Sequence, residues 1–350
     1  MDSKYSADTL EKIKKIPMVF IVGFGRSGTT LLQELMNTHP NVIGPPEYSF
    51  IVYLYSRYGN KNHWTKADIA EFIEALYFRP LFSLWLINKD ELTEKLNAIA
   101  DKADYALICK IIFYQMVQGK ENISLFCDKN PENSLFINTL LKVFPDAKFI
   151  HMVRDPRDNV NSQSRSFKKK NICLIARRWM GYNTAIENEK KKMPARFHTL
   201  LYENLVTTTE ASMKAVCEFL GITYSPSMIE HQFNDRIESL KENKFFERVK
   251  TLHKGLLNPI NTSNIGKWEK EMSQQSIAIT ELITGDLAKT KYGYKVKERK
   301  EIKEKISAYR LLYSWLYYNA WELYTRFRYS NYSFNRAYYK QKIKSRPMGV

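Results

Sequence analysis

The sequence predicts an α/β fold, in which helices flank a parallel, P-loop-like β-sheet. Two observations favour this class. First, the apolar, β-branched run IPMVFIVGF leads through a glycine-rich loop, GFGRSGTT at residues 23–30, into a helical pattern. Second, further apolar runs alternate with helical segments along the chain, which is typical of a sheet covered by helices. The 350 residues are ample for one large or two modest cores.

The first two elements lie on either side of the glycine-rich loop. A continuous apolar run is expected of a strand that is buried on both faces of a parallel sheet. The helix after the loop is predicted to end at Pro40, and we interpret the neighbouring His39 as part of that helix end rather than as a reactive group. The apolar face of this helix consists of Leu31, Leu32, Leu35 and Met36.

The region 48–120 is predicted to be a mostly helical insertion. Thr65 followed by Asp68 resembles a capping box at the start of one of its helices. Its many aromatic rings either form a helical core or roof the binding site of an acceptor substrate. These aromatic residues are Tyr53, Tyr55, Tyr58, Trp64, Phe72, Tyr77, Phe78, Phe82 and Trp85.

Later segments continue the alternation of strands and helices. DAKFIHMVRD contains a second strand-like run, and we expect His151 within it to be a core residue with satisfied hydrogen bonds. RFHTLLYENL contains a third. EASMKAVCEFLGI is an amphipathic helix that Gly221 closes.

The C-terminal part differs from the rest of the chain. We predict an α/β domain over residues 1–298 and an aromatic, basic helical extension over residues 299–350. From Leu323 onward there are seven basic residues and no acid. The extension either packs on the main domain, which we favour, or lies on an anionic membrane surface. Its regularly spaced aromatic residues are Tyr309, Tyr313, Tyr317, Trp321 and Tyr324.

The composition restricts the partners of the protein. A net charge of +17 indicates either a lysine-rich surface or an anionic ligand, membrane or nucleic acid. No nucleic-acid partner is expected, because zinc-finger spacing, an RNP signature and long basic blocks are lacking. The chain has no signal-peptide pattern and no run of about 18 apolar residues, so we predict a cytoplasmic protein. Four isolated cysteines are expected to be reduced thiols that bind no metal: Cys109, Cys127, Cys173 and Cys217.

The glycine-rich loop nearly matches two phosphate-binding motifs. Its three glycines have the G-x-G-x-x-G spacing of a dinucleotide-binding turn, and Glu47 lies 19 residues past Gly28, where a ribose-binding acid is expected. However, NVIGPPEY is too short and too rich in proline to be a central strand. The loop also resembles a P-loop, but Thr29 replaces the lysine on which ATP-using enzymes depend. A dinucleotide-dependent oxidoreductase and a kinase therefore remain as alternatives.

A second anion-binding segment favours a nucleotide with phosphates at two separated positions. Loop amides and the N-terminus of the following helix attract an anion, and Arg26 adds donors that suit a tetrahedral oxyanion. Further along the chain, FIHMVRDPRDNVNSQSRS runs from a strand into a turn and a helix. Arg154 and Ser162 in this segment could bind one phosphate together.

Five segments in order resemble sulfotransferases that use 3′-phosphoadenosine 5′-phosphosulfate (PAPS) and release PAP. The resemblance covers about residues 17–295. Within the family, the sequence is similar to the branch that includes tyrosylprotein, heparan and many bacterial sulfotransferases. The segments are FIVGFGRSGTTLLQELMNTHPNV, FCDKNPEN, FIHMVRDPRDNVNS, LLYENLVTTTEASMKAVCEFLGITYSPSM and SNIGKWEKEM.

The resemblance implies how PAPS would be bound. Arg154 and Ser162 would hold its 3′-phosphate, and Tyr202 would lie near the adenine. A late loop that contains Ser263 and Lys267 would close over the nucleotide. The residues implied to hold the 5′-phosphosulfate are Gly25, Arg26, Ser27, Gly28, Thr29 and Thr30.

The resemblance also implies the catalytic groups. Members of this branch carry a glutamate base about 20 residues past the loop arginine, and Glu47 lies 21 residues past Arg26. A carboxylate in a partly closed apolar site has a raised pKa and accepts a proton readily. The alternative is that Glu47 is a loop residue paired with a lysine. Lys129 and Arg26 would stabilise the negative charge that builds up in the reaction, without a metal ion.

The predicted activity is sulfuryl transfer from PAPS to a hydroxyl acceptor. The acceptor could be a sterol, phenol, lipid or glycan, and the aromatic insertion slightly favours a hydrophobic one. The predicted partners are PAPS, this acceptor and, through the C-terminal extension, the surface of a membrane.

Overall fold

A parallel sheet forms the centre of the computed structural model, which describes residues 5–117, 119–167, 171–229, 259–297, 302 and 306–345. The strands in these residues are β1 (Met18–Val22), β2 (Val42–Ile43), β3 (Leu125–Lys129), β4 (Lys148–Val153) and β5 (Phe197–Leu201). They lie in the order β2-β3-β1-β4-β5, and every neighbouring pair is parallel. The predicted α/β class is confirmed.

Helices cover both faces of this sheet. Those before β4 are α1 (Ala7–Lys15), α2 (Thr29–Asn37), α3 (Phe50–Tyr58), α4 (Lys66–Phe78), α5 (Lys89–Asn97), α6 (Tyr105–Tyr114) and α7 (Ile137–Val143). Those after β4 are α8 (Pro156–Ser166), α9 (Ile172–Lys192), α10 (Tyr202–Thr207), α11 (Thr209–Leu220), α12 (Trp268–Glu271), α13 (Gln274–Tyr292), α14 (Ala308–Ser330) and α15 (Tyr332–Ser345). Short 3₁₀ turns span Pro80–Trp85, Pro131–Leu135, Pro194–Arg196 and Pro226–Ile229.

β1 is buried on both faces, as its continuous apolar sequence predicts. Its side chains alternate between two hydrophobic clusters, because successive residues of a strand point to opposite faces of the sheet. Phe20 contributes to the first cluster, which contains much of the helical insertion. Ile21 contributes to the second, where it packs with the apolar face of α2 that the sequence predicted.

Two neighbouring strands, β2 and β3, bear on the sequence predictions. The first confirms an expectation, and the second was not predicted. Residues 42–43 form only a two-residue strand at the edge, which confirms that NVIGPPEY is not a central strand. β3 was not predicted, although it lies between β2 and β1. Its five residues, LFCDK, end in two charged side chains, and a run this short and polar gives little signal of a buried strand.

Several local predictions are confirmed by hydrogen bonds at helix ends. The side chains of Thr65 and Asp68 form the predicted capping box at the start of α4. Gly221 adopts the left-handed conformation that closes α11. His39 is buried just past the end of α2, where its ring lies 2.8 Å from the carbonyl oxygen of Thr223.

The cysteines are buried thiols, as predicted, whereas His151 follows its prediction only in part, because its buried Nδ1 has no hydrogen-bond partner among the described residues. His151 is fully buried in β4, and its Nε2 lies 2.8 Å from Oδ1 of Asn183. Its Nδ1 lies 3.5 Å from the carboxylate of Glu187. All four cysteines are buried and free of disulfide bonds.

The aromatic residues of the insertion form a core. Of the nine that were singled out, Tyr53, Tyr58, Trp64, Phe72, Phe82 and Trp85 are buried, and the other three are half-buried. They pack ring to ring; Tyr58, for example, stacks on Trp64 with the centroids 5.4 Å apart. A helical core thus accounts for these rings, while a role in roofing an acceptor site stays a prediction.

The C-terminal helices α14 and α15 pack on the α/β domain, as the favoured interpretation expects. α14 lies against α9 and α3, and α15 lies against α3. Gly181 allows the close approach of α9 and α14, because a Cβ atom there would lie 1.9 Å from Oη of Tyr318. Among the described residues, no helix has the length and apolar character needed to cross a bilayer. The division of the chain at residue 298 remains a prediction.

Candidate active site

The active-site candidate lies where the parallel strands end. In the sheet register, Ile21 of β1 is opposite Lys129 of β3, and Val22 is opposite His151 of β4. The carboxyl ends of parallel strands meet at one edge of a sheet, where ligands of open α/β folds bind. This edge therefore brings together the glycine loop after β1, Lys129 at the end of β3 and Arg154 just after β4.

The glycine loop has a backbone that side chains would obstruct. Gly23 has φ +145°, and a Cβ atom there would lie 2.3 Å from the carbonyl oxygen of Met152. Gly28 has φ +88°, and a Cβ atom there would lie 2.6 Å from the ring of Tyr202. Arg26 also adopts a left-handed conformation, with φ +70°, which is uncommon for a residue with a side chain. The loop is thus held in one specific, partly strained shape.

Side chains from two other segments support this loop. The hydroxyl of Ser134 accepts a hydrogen bond from the backbone N–H of Gly23 at 2.9 Å. Asn159 donates to Oγ of Ser27 at 2.9 Å, so the fully buried hydroxyl of Ser27 helps to fix the loop. Gln163 donates to the carbonyl oxygen of Gly25 at 2.8 Å.

The N-terminus of α2 has the properties of an anion site. α2 starts at Thr29 and has no side-chain cap and no acidic residue in its first turn. The first N–H groups of a helix have no partner within the helix, and its dipole is positive at this end. Thr29 and Thr30 add hydroxyl groups at this position. The arrangement fits a phosphate or sulfuryl group.

Arg26, Arg154, Ser162 and Tyr202 form a second part of the site. Nε of Arg26 donates to Oγ of Ser162 at 3.3 Å, and Nη1 of Arg154 donates to the carbonyl oxygen of Arg26 at 3.2 Å. The guanidinium of Arg154 lies over the ring of Tyr202, 4.6 Å from its centroid. Burial and the neighbouring charge of Arg154 lower the pKa of Arg26.

Arg154 has a donor that a bound anion could satisfy. Its side chain is buried, and its Nε has no hydrogen-bond partner in the described part of the chain. An unpaired buried donor is costly, and two neighbouring guanidinium groups repel each other. The residues at this position therefore fit a phosphate group.

Lys129 and Glu47 form a close ion pair. Nζ of Lys129 lies 2.5 Å from Oε2 of Glu47. The lysine side chain is only 2% exposed, whereas the glutamate side chain is 50% exposed. The alternative interpretation, in which Glu47 pairs with a lysine, thus describes a contact that is present. That lysine is the predicted catalytic one, so the contact brings the two predicted catalytic groups together.

The late loop docks on α8. Both carboxylate oxygens of Asp158 accept backbone hydrogen bonds from this loop, from Gly266 at 2.7 Å and from Trp268 at 3.0 Å. Ser263 is exposed, and its hydroxyl donates to Asn261 within the loop at 2.5 Å. Lys267 donates to Oδ1 of Asn264 at 2.8 Å, and the carbonyl oxygen of Asn264 accepts from Nη2 of Arg154. The loop is thereby connected to the second part of the site.

Sequence reasoning missed three residues that support the site: Asp128, Asp158 and Ser134. Asp128 is buried beside Lys129 and accepts hydrogen bonds from the amides of Asn130 and Asn133. Burial raises the pKa of Asp128 to about 7. Its hydrogen bonds and the charge of Lys129 lower this pKa, but their effect is smaller than that of burial. Asp158 has a signal in the sequence, because Asp158, Asn159 and Ser162 are spaced to share one side of a helix. Ser134 has none, since its partner, Gly23, lies 111 residues away.

The described residues hold no cluster of three or more histidine, cysteine, aspartate or glutamate side chains of the kind that holds a metal ion.

Comparison with known proteins decides the family. The family model described as the sulfotransferase family matches residues 17–226, which is more than half of the chain. The chain belongs to the sulfotransferase family. This confirms the family predicted from the five segments, whose members use PAPS as the donor.

Among curated proteins, this sulfotransferase is similar to protein-tyrosine sulfotransferases. It is 26% identical to protein-tyrosine sulfotransferase 1 of Danio rerio, over 73% of this chain and 66% of that protein. It is 24% identical to the protein-tyrosine sulfotransferase of Drosophila melanogaster, over 76% of this chain and 50% of that protein. The matched part thus spans about half to two thirds of the length of these relatives.

Solved structures show the same fold. The sulfotransferase domain from the curacin biosynthetic pathway has a TM-score of 0.54 and 17% identity, over 80% of this chain and 99% of that domain. The sulfotransferase domain of the Synechococcus PCC 7002 olefin synthase has a TM-score of 0.51 and 22% identity, over 76% of this chain and 93% of that domain. At such identities the likeness extends to the fold alone.

Proposed function

We propose that this sulfotransferase transfers the sulfuryl group of PAPS to a hydroxyl group of an acceptor. The observation that carries the proposal is the pair of buried Lys129 and half-exposed Glu47, which lies at the same sheet edge as the uncapped N-terminus of α2. An anion site next to a buried cation and a half-exposed carboxylate suits the transfer of an anionic group to a hydroxyl that must lose its proton.

The donor would occupy both anion-binding parts of the site. We propose that the loop from Gly25 to Thr30 holds the phosphosulfate and that Arg154, with Ser162, holds the 3′-phosphate. The unpaired Nε of Arg154 supports this assignment. Tyr202 would contact the adenine, and the loop with Ser263 and Lys267 would cover the nucleotide. PAPS supplies an activated sulfuryl group with PAP as the leaving group.

Glu47 and Lys129 would carry out the proton and charge chemistry. Glu47 would accept the proton of the acceptor hydroxyl as the new oxygen–sulfur bond forms and the bond to the leaving phosphate breaks. Its 50% exposure leaves the carboxylate accessible to an acceptor. Lys129 and Arg26 would stabilise the negative charge that develops on the leaving group and the sulfuryl oxygens. Because Lys129 already lies 2.5 Å from Glu47, both groups can act on one reacting centre.

The acceptor is proposed to be a hydrophobic hydroxyl compound, with phenols as the first candidates over sterols, lipids and glycans. The relatives named above act, by their names, on protein tyrosines, and the tyrosine side chain is a phenol. The aromatic core next to the Tyr48–Tyr58 stretch, just past Glu47, is consistent with a flat apolar acceptor.

We also propose peripheral contact with an anionic membrane through α14. Nine of the thirteen exposed large hydrophobic residues among those described lie on this helix. Leu312, Leu316, Leu323 and Phe327 recur at a spacing that places them on one face. Tyrosine and tryptophan border them, and such rings favour the boundary between lipid and water. Charge favours an anionic surface over a second copy, because two chains of charge +17 repel each other.

The function is tested first by nucleotide binding. Calorimetric titration with PAP, with ATP and Mg²⁺, and with NAD should show tight binding of PAP alone, and this binding should survive a chelator. Transfer of labelled sulfate from PAPS to a panel of phenols, sterols and sugars should then identify the acceptor. Glu47→Gln is the matched inactive control, with PAP binding retained and turnover reduced by about 10²–10⁴. Binding of NAD, or of ATP only with Mg²⁺, without PAP binding would contradict the proposal.

A further inference from the structure

The 3₁₀ turn Pro131–Leu135 joins the two catalytic parts of the site. It begins two residues after Lys129. Asn133 of the turn donates to Oδ2 of Asp128, at the end of β3, at 2.8 Å. Ser134 of the turn bonds both the N–H and the carbonyl oxygen of Gly23, at 2.9 and 3.3 Å. A displacement of this turn would therefore move the end of β3 and the start of the glycine loop together.

The C-terminal helix α14 holds the other side of this turn. The hydroxyl of Tyr329 donates to the carboxylate of Glu132. Nη1 of Arg326 donates to the carbonyl oxygen of Leu135 at 2.9 Å. The ring of Tyr329 packs on Phe136, with the centroids 4.8 Å apart. Three contacts thus connect the last turns of α14 to Glu132, Leu135 and Phe136, which closely follow the proposed catalytic lysine.

The same tyrosine reaches the segment that carries Glu47. Its hydroxyl lies 3.5 Å from Oγ of Ser49, two residues past Glu47. Arg79 donates to Ser49 at 3.5 Å and to the hydroxyl of Tyr339 on α15 at 3.0 Å. The C-terminal helices therefore touch the polypeptide on both sides of the Lys129–Glu47 pair.

Tyr329 donates its hydrogen bond to Glu132 from a buried position. Tyr329 is 2% exposed, and burial together with the charge of Glu132 raises its pKa well above the ordinary value. The hydroxyl therefore keeps its proton and donates a hydrogen bond to the carboxylate. Arg328 is buried next to Tyr329, and its guanidinium lies over the Tyr329 ring, 4.9 Å from the ring centroid.

We propose that Tyr329 and Arg326 are positioning residues for sulfuryl transfer. They hold the Pro131–Leu135 turn, and through it Lys129 and the glycine loop, in the arrangement the reaction needs. This inference rests on the proposed function and extends it, because it makes α14 part of the catalytic unit.

The test compares Tyr329→Phe with Tyr317→Phe. Tyr317 lies on the same helix and is 47% exposed, so its variant controls for the loss of a hydroxyl from α14. With turnover counted per PAP-binding site, Tyr329→Phe should lower kcat roughly tenfold and leave the KM for PAPS within about twofold. Glu132→Ala should lower kcat similarly, and its combination with Tyr329→Phe should show no further loss, because both changes remove the same hydrogen bond. A purely structural role would reduce the number of PAP-binding sites without changing kcat per site.

Arg326→Ala provides a second variant, which removes the hydrogen bond to the carbonyl oxygen of Leu135. The side chain of Arg326 is partly exposed, so the fold should tolerate its loss. Hydrogen exchange tests the inference without turnover: amides of residues 129–136 should exchange faster in Tyr329→Phe and Arg326→Ala than in the wild type and in Tyr317→Phe. Unchanged exchange, or a kcat for Tyr329→Phe within twofold of the wild type, would overturn the inference. An inactive wild type that shows the expected exchange pattern would instead contradict the proposed function.

Discussion

At the scale of single residues, the contact between Lys129 and Glu47 bears on folding and on the proposed chemistry. A lysine that is 2% exposed is stable as a cation only with a close partner, and Glu47 provides it at 2.5 Å. Because the glutamate is half-exposed, its own desolvation cost is small. Solvent can therefore hydrate Glu47 when Lys129 is removed, and the fold should tolerate that loss.

We therefore expect Lys129→Ala to lower kcat by about 10²–10³, the usual cost of losing one donor that stabilises a developing charge. Circular dichroism and the stoichiometry of PAP binding should stay those of the wild type. Lys66→Ala, at an exposed position of α4, is the matched control and should keep full activity. Turnover near the wild-type rate in a folded Lys129→Ala protein would exclude the catalytic role of this lysine.

Asp128 makes the stability of the protein depend on pH. Its pKa is about 7 in the folded state, raised by burial from an ordinary value of 3.8. Between these values the folded protein binds a proton that the unfolded chain has released, so the free energy of unfolding decreases as the pH rises from about 4 to about 7.

Asp128→Asn should remove this contribution. The measurement is the melting temperature of wild type and variant between pH 4 and pH 8. As the pH rises, the melting temperature of the wild type should fall relative to that of Asp128→Asn. The melting curve of Asp8→Asn, at an exposed position, should run parallel to that of the wild type. Parallel curves for Asp128→Asn would show that this carboxyl group does not titrate as described.

At the scale of elements, Gly28 of the glycine loop is restricted in two ways, by its left-handed backbone and by the nearby ring of Tyr202. Substitutions can separate these two effects. Gly28 and Gly221 both have left-handed backbone conformations, with φ +88° and +77°. Only at Gly28 does an added Cβ atom collide with another residue, the ring of Tyr202 at 2.6 Å, while the space at Gly221 is open.

Both Gly28→Ala and Gly221→Ala should therefore cost about 1–3 kcal/mol of stability for the backbone conformation. In addition, Gly28→Ala should weaken PAP binding at least tenfold, because the Tyr202 ring must move away from Arg154. Thermal unfolding and calorimetry with PAP measure the two effects. Equal PAP affinity in the two variants would mean that Tyr202 does not contribute to the nucleotide site.

The elements also show what local patterns can reveal. β1, α2 and the capping box of α4 were predicted because their signals lie within a few residues: a continuous apolar run, one apolar face and a Thr–Asp pair. β3 was missed because LFCDK is short and half polar, and its burial results from the strands on either side. The residues next to β3 in the sequence do not reveal that β2 and β1 flank it in the sheet.

At the scale of the whole molecule, α14 has two different faces. The inner face packs on α9 and α3 and holds the Pro131–Leu135 turn, and the outer face exposes most of the large apolar side chains that the described part leaves accessible. Together with the excess of basic residues, the outer face gives the protein a surface that suits an anionic bilayer.

This predicts sedimentation with vesicles that contain phosphatidylserine and much weaker sedimentation with phosphatidylcholine alone. Moderate salt should reduce the binding, because screening weakens the charge contribution. Leu316→Glu, on the exposed face of α14, should abolish binding, while Leu86→Glu, at a similarly exposed position outside α14, should leave it unchanged. If Leu316→Glu instead converts a dimer into a monomer in solution, the face is an interface between two copies.

The sequence by itself determined the α/β class, the glycine-rich loop proposed to bind an anion and, through the five family segments, the residues proposed for catalysis. These follow from patterns within short stretches, where helix and strand periods and glycine positions are local properties of the chain. Only the tertiary structure decided that Lys129 lies against Glu47, 82 residues away, and that Tyr329 bonds to Glu132 across 197 residues. Such contacts depend on strand order and on how helices pack, because those arrangements bring distant parts of the chain together, and no local period encodes them.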